Sequence, residues 1–201
     1  MIIREHWARV FVDERKFFVY GPRLGRLYLF DDQQDLDDSL QGVLGLGDVS
    51  VCREIRDSAE SILHDQPSLK TIPLKTPPVM LRMAYRFMHY SRHFISFRFL
   101  LSLTAWFARA RGKDLQLELM QIGKLERDIE NLVGLADCYP RALMMCYLCL
   151  RCGYNCEVFI GILAPTKMLH AWCVVNGEIP YEAMPEHYMY QPLVCWQLAA
   201  Q

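Results

Sequence analysis

The feature that most constrains this chain is the run from Asp137 to Gly153 together with the two apolar strands that follow it. Asp137 is a preferred N-cap residue, and Pro140 falls in the first turn, where its missing N–H costs nothing. Ala142, Met145, Cys149 and Cys152 recur at helical spacing and predict one buried face, and Gly153 ends the helix at the C′ position. Cys138 therefore opens a helix at the positive end of its macrodipole, in a field that favours thiolate over thiol. The thiolate is the nucleophilic form, so placement alone singles out Cys138 as the candidate nucleophile.

Glu157 to Leu163 is apolar and β-branched, and Pro165 closes it. His170 to Val175 reads as a second strand, and Asn176-Gly177 is a strong hairpin turn signal. A two-residue loop there pairs Ala171 with Glu182 and leaves His170 on the opposite face. A three-residue loop over Val175-Asn176-Gly177, or an equivalent bulge near Pro180, sets Glu182 across from His170. The second register is the one expected, because it lets the carboxylate orient the imidazole. Cys138, His170 and Glu182 then supply nucleophile, base and orienter, the triad arrangement of acyl transfer. A lone buried Cys, or a lone His on an apolar strand, is ordinarily core. The capped helix, hairpin and register together favour the triad. Cys149-x-x-Cys152 and Cys156 invite a zinc reading. Zinc ribbons, however, pair two knuckles on turns, and Cys146, Cys149 and Cys152 fall within one predicted helix. These cysteines are expected to pack as small hydrophobes, with no metal site.

At these residues the chain resembles a family. Cys138 is followed by Pro140-Arg141-Ala142-Leu143 and a Leu-rich helix, then by Arg151-Cys152-Gly153-Tyr154. Next come the strand ending Phe159-Ile160-Gly161-Ile162, the triplet His170-Ala171-Trp172, and Glu182. Together they resemble the lasso peptide B proteins, leader peptidases of the transglutaminase-like, papain-like superfamily. The likeness is strong over 137–182, moderate over 79–136 and weak before that. The Arg151 turn stands in place of the usual basic-Gly-Ile turn, and one departure is visible: Cys173-Val174 replaces the usual Val-Glu after the Trp. The resemblance implies a cysteine peptidase with Cys138, His170 and Glu182 as catalytic residues and no cofactor bound directly. It implies a ribosomal precursor peptide, leader and core, as substrate. It also implies an ATP-dependent, asparagine-synthetase-like lasso cyclase as partner, through which ATP enters. A transglutaminase-like acyltransferase and a non-catalytic leader-binding scaffold are the alternatives.

Apolar residues form 52% of the 201, enough to fill a core, and a formal net charge of −1 gives nothing that points to nucleic acid. The start, Met-Ile-Ile-Arg-Glu-His, lacks the apolar run of a secretory signal. Eight cysteines without such a signal imply reduced thiols and a cytoplasmic location. The expected fold class is α+β. A small winged-helix-like domain over 1–66 precedes a Pro-rich linker over 67–78, and a papain/transglutaminase-like peptidase domain follows over 79–201.

Trp7 to Val12, Lys16 to Gly21 and Gly25 to Phe30 read as three short strands with polar turns between them. Asp31, Asp32 and Asp35 load the start of a helix running to about Leu44, and Ser50 caps a further one. This order of elements resembles the winged-helix peptide-recognition domain often fused or paired with lasso peptidases. There a leader adds as a strand beside the third strand through main-chain bonds. That implies leader binding at Gly25, Arg26, Leu27, Tyr28, Leu29 and Phe30.

Val79 to about Arg111 reads as one long helical pattern, with Arg82, Arg86, His89 and His93 on one polar face. Packing on the peptidase core is the expected role. A basic amphipathic helix can otherwise lie on a membrane or dock an acidic partner. Leu115 to Val133 predicts another helix, with Lys124, Glu126, Arg127, Asp128 and Glu130 facing water. The tail from Met184 to Trp196, rich in aromatics and Pro, is expected to cover the sheet.

Overall fold

The computed structural model describes residues 2–7, 10–11, 16–21, 26–31, 78–113, 115–163, 166–177, 179–180 and 190–200. Among them are seven strands, β1 (Ile2–Trp7), β2 (Val10–Phe11), β3 (Lys16–Gly21), β4 (Arg26–Asp31), β5 (Cys156–Leu163), β6 (Met168–Val174) and β7 (Gln191–Leu198). The helices are α1 (Val79–Ser91), α2 (Phe97–Arg111), α3 (Leu119–Val133) and α4 (Cys138–Arg151). The result is a mixed fold of helices and antiparallel sheet. One sheet has the order β1-β7-β5-β6 and the other β2-β3-β4.

Alternation along the strands divides the larger sheet into two faces. Val158, Ile160, Ile162, Ala171, Cys173, Val194 and Trp196 join the main core, against α4 and the helices packed on it. Phe159, Trp172 and Cys195 form a smaller cluster on the other face. Trp196 is fully buried between Phe97 of α2 and Tyr20 of β3, with ring centroids 5.3 and 6.5 Å away. The second sheet therefore packs on the same core.

Several expectations change. The first strand, read over 7–12, is two strands, and β1 pairs antiparallel with β7 from Ile2↔Leu198 to Trp7↔Val194. Residues 2–7 thus lie in the sheet that carries β5 and β6, although the sequence groups them with the N-terminal unit. β7, buried along its centre, must satisfy main-chain groups on both sides, and β5 covers only one. The tail expected to cover the sheet is itself a central strand. Pro192 hides it in the sequence. Lacking an N–H, Pro192 sits opposite Gly161, where the β5–β7 register shifts.

The long pattern over 79–111 breaks into two helices. Phe94 and Ile95 both donate N–H bonds to the Ser91 carbonyl, and the Ser96 hydroxyl then caps α2 by accepting from Phe99 N. The next helix starts at Leu119, later than expected, behind a capping box between Glu118 and Gln121. Glu126 and Glu130 do not face water. They are 3% and 6% exposed, because the Arg141 guanidinium of α4 reaches Glu130 at 2.7 and 2.5 Å and lies 3.8 Å from Glu126. Asp31, read as the start of a helix, is instead the last residue of β4, paired with Lys16. Residues 32–44, the helix read from Ser50 and residues 67–77 of the linker lie outside the described residues. Pro78 is the N-cap of α1.

Candidate active site

The nucleophile helix forms as its sequence dictates. The Asp137 carboxylate accepts from Tyr139 N at 3.1 Å, Cys138 is the first helical residue, and Gly153 follows the helix with φ +87. Asp137 is in turn clamped by the end of α1. His89 Nδ1 lies 2.9 Å from its Oδ2, Arg92 donates to the same oxygen, and Tyr85 Oη donates to the Leu135 carbonyl at 3.2 Å. His89 thus points inward, not along a free polar face. Arg141, three residues after Cys138, ties the first turn to α3 through Glu130.

Cys138 is half-buried at the junction of α4 and β6. Burial pushes its thiol up from the usual cysteine range, opposed by a bond from the Ala171 N–H and reinforced by the Asp137 charge. Burial thus opposes the thiolate that a helix terminus favours. Ala171 faces α4, and its neighbour His170 turns its ring to the opposite face of the sheet, with Trp172 and Phe159.

His170 sits in β6 opposite Gly161 and starts a column of rings. It stacks on Trp172 with centroids 5.8 Å apart and planes at 17°, and Trp172 stacks on Phe159 at 5.3 Å and 9°. Tyr190 closes on the imidazole at 4.8 Å. Such contacts fix the ring plane, and an imidazolium over an indole is favoured further by cation–π attraction. Gly161 makes the column possible. A Cβ there would lie 2.7 Å from the Trp172 indole and 2.8 Å from the Gln191 carbonyl oxygen.

Asn176 and Gly177 both have positive φ, +53 and +81. That is the backbone signature of a two-residue type I′ turn, which follows the natural strand twist. These angles fit a two-residue loop in place of the three-residue one. The equivalent bulge near Pro180, which would also set Glu182 across from His170, turns on residues outside the described ones. Glu182 lies outside the described residues. So does Gly25. Arg26, Leu27, Tyr28, Leu29 and Phe30 lie in β4, at one edge of the β2-β3-β4 order, with Tyr28 half-buried and Leu29 exposed.

An open cleft lies between Arg141, Ala142 and Met145 of α4, Glu126 and Arg127 of α3, and Ala171 to Cys173 of β6, and neither Cys138 nor His170 lines it. Among the other described cysteines, Cys152 is half-buried and the rest pack inside. Cys146 and Cys156 are 3.6 Å apart at sulfur, and Cys149 and Cys173 are also buried. The Cys156 hydrogen bond and burial both push the Cys146 thiol up, so it packs as a neutral group.

Residues 83–195 match the model of the transglutaminase-like superfamily, more than half of the chain. The chain belongs to the transglutaminase-like superfamily. The match runs from α1 to β7, spanning both Cys138 and His170 and leaving β1 to β4 outside it. No curated protein and no solved structure matches the chain. Sequence reading missed the parts of this site that come from far away in the chain. Tyr190 carries no motif of its own, and the clamp from His89 and Arg92 to Asp137 spans about half a hundred residues of sequence.

Proposed function

We propose that this transglutaminase-like protein is a cysteine peptidase that removes the leader from a ribosomal lasso precursor peptide. The observation that carries the reading is the placement of Cys138 at a capped helix N-terminus, with α4 packed on the strand that carries His170. The resemblance of residues 137–182 to lasso peptide B proteins supplies the substrate class.

The reaction starts with transfer of the Cys138 proton to His170, or from the ion pair of the two. Sulfur attacks the carbonyl carbon of the amide joining leader to core. The resulting oxyanion is held by main-chain N–H groups at the start of α4. The C–N bond then breaks as the imidazolium gives its proton to the leaving amine, the new core N-terminus. Water, deprotonated by His170, attacks the thioester and releases the leader carboxylate. Trp172 and Tyr190 hold the imidazole in plane, and Glu182 orients its other nitrogen. The leader adds beside β4, and a partner cyclase, asparagine-synthetase-like and ATP-dependent, joins the freed amine to an acidic side chain. ATP enters through that partner.

The test is co-expression with the precursor and cyclase encoded by flanking genes, read by intact mass. Wild type yields a leaderless, dehydrated peptide, and Cys138→Ala leaves full-length precursor. Processing by Cys138→Ala protein would sink the assignment. The superfamily match fits acyl transfer equally, with an amine in place of water resolving the thioester. A labelled amine found in the product by mass spectrometry would move that reading to the front.

A further inference from the structure

The first two helices turn apolar faces outward. On α1, Met80, Met83, Phe87 and Tyr90 are all more than half exposed, and their spacing of three, four and three sets them on one stripe. Phe94, in the turn that follows, is 90% exposed. On α2, Phe99 and Trp106, seven residues apart, are exposed at 58% and 60%. Two polar residues of α1 go the other way: Arg82 is half-buried, and His89 meets Asp137. A surface helix of a globular domain has the opposite arrangement. An apolar surface of this extent marks a place where something docks.

Charge says what kind of partner fits. Residues 79–111 contain six arginines, Arg82, Arg86, Arg92, Arg98, Arg109 and Arg111, and no Asp or Glu, in a chain of net charge −1. Arg86 and Arg111 are exposed beside the apolar stripes. A second copy of this chain would set arginines against arginines. An anionic bilayer answers both features: its headgroups supply the missing negative charge, and its acyl boundary accepts aromatic and Met side chains. No described helix is long and apolar enough to cross a membrane, so the contact lies in the surface plane.

We propose that the outward faces of α1 and α2 dock on an anionic lipid surface, with Phe87, Phe94 and Trp106 inserted and Arg86 and Arg111 on lipid phosphates. This does not depend on the catalytic reading.

The test is flotation of the full-length protein with vesicles of phosphatidylcholine, alone or mixed with phosphatidylglycerol. The protein is expected to float with the anionic vesicles, less so as salt rises, and weakly with the neutral ones. Tryptophan emission should shift to the blue on binding, and Trp106→Phe should abolish the shift. Phe87→Ser combined with Phe94→Ser should weaken flotation at least about tenfold, from the apolar area lost, without lowering the melting temperature. Absence of flotation on anionic vesicles, or undiminished flotation of the double variant, overturns the proposal. So does a dimer that the double variant splits, if vesicles are not bound.

Discussion

At Cys138 two effects oppose each other: a helix N-terminus favours a thiolate, while removal from water favours the thiol and pushes its pKa up. The expected consequence is an alkylation rate at Cys138 that keeps climbing above about pH 8.5, the ordinary thiol range. Deprotonation is what creates the nucleophile, so a raised pKa moves the rise to higher pH. A rate already flat between pH 6 and 8 would instead reveal a resting thiolate–imidazolium pair. On the proposed function, Cys138→Ala or His170→Ala should abolish leader removal while leaving the circular dichroism spectrum unchanged, and Glu182→Gln should cost less. Gly161 is a different case, since its role is to be absent. Gly161→Ala drives a methyl into the Trp172 indole and the Gln191 carbonyl. Overpacking of this kind costs about 1–3 kcal/mol, to be read from the urea midpoint, and tilting Trp172 should also lower turnover.

Among the elements, α4 is held at three levels: its cap, its first turn and its buried face. The first turn depends on Arg141, which faces two buried carboxylates from α3. Arg141→Ala leaves Glu126 and Glu130 without their guanidinium and should cost about 3–5 kcal/mol in chemical denaturation. Adding Glu126→Gln and Glu130→Gln should recover part of that loss, because the cost is one of uncompensated charge. If Arg141→Ala is neutral, the ion pair contributes nothing net. Helix starts and stops such as Asp137 and Gly153 were legible in the sequence because caps are local chemistry. The turn at Asn176-Gly177 was legible as a turn, because both residues tolerate the positive φ that it requires.

For the whole molecule, β1 is the decisive piece. It closes one edge of β7, and β3 lends Tyr20 to the pocket around Trp196. A fragment starting at residue 79 keeps every residue of the superfamily match but strips that edge. Such a fragment should aggregate or melt well below the full chain, and co-expression of residues 1–78 should restore solubility. A fragment as stable as the full protein would show that β1 is dispensable.

The sequence alone determined the local features: the capped helix with Cys138 first, the two strands, His170 on the second, and the β3 and β4 pair. Each follows from short-range periodicity, caps and turn residues. Tertiary structure decided the rest, because the physical causes lie far apart in the chain. It made the Pro-bearing tail a central strand, brought β1 beside it, buried Glu126 and Glu130 against Arg141, and turned His89 toward Asp137. It also set burial against the macrodipole at Cys138, a contest that no local pattern of residues encodes.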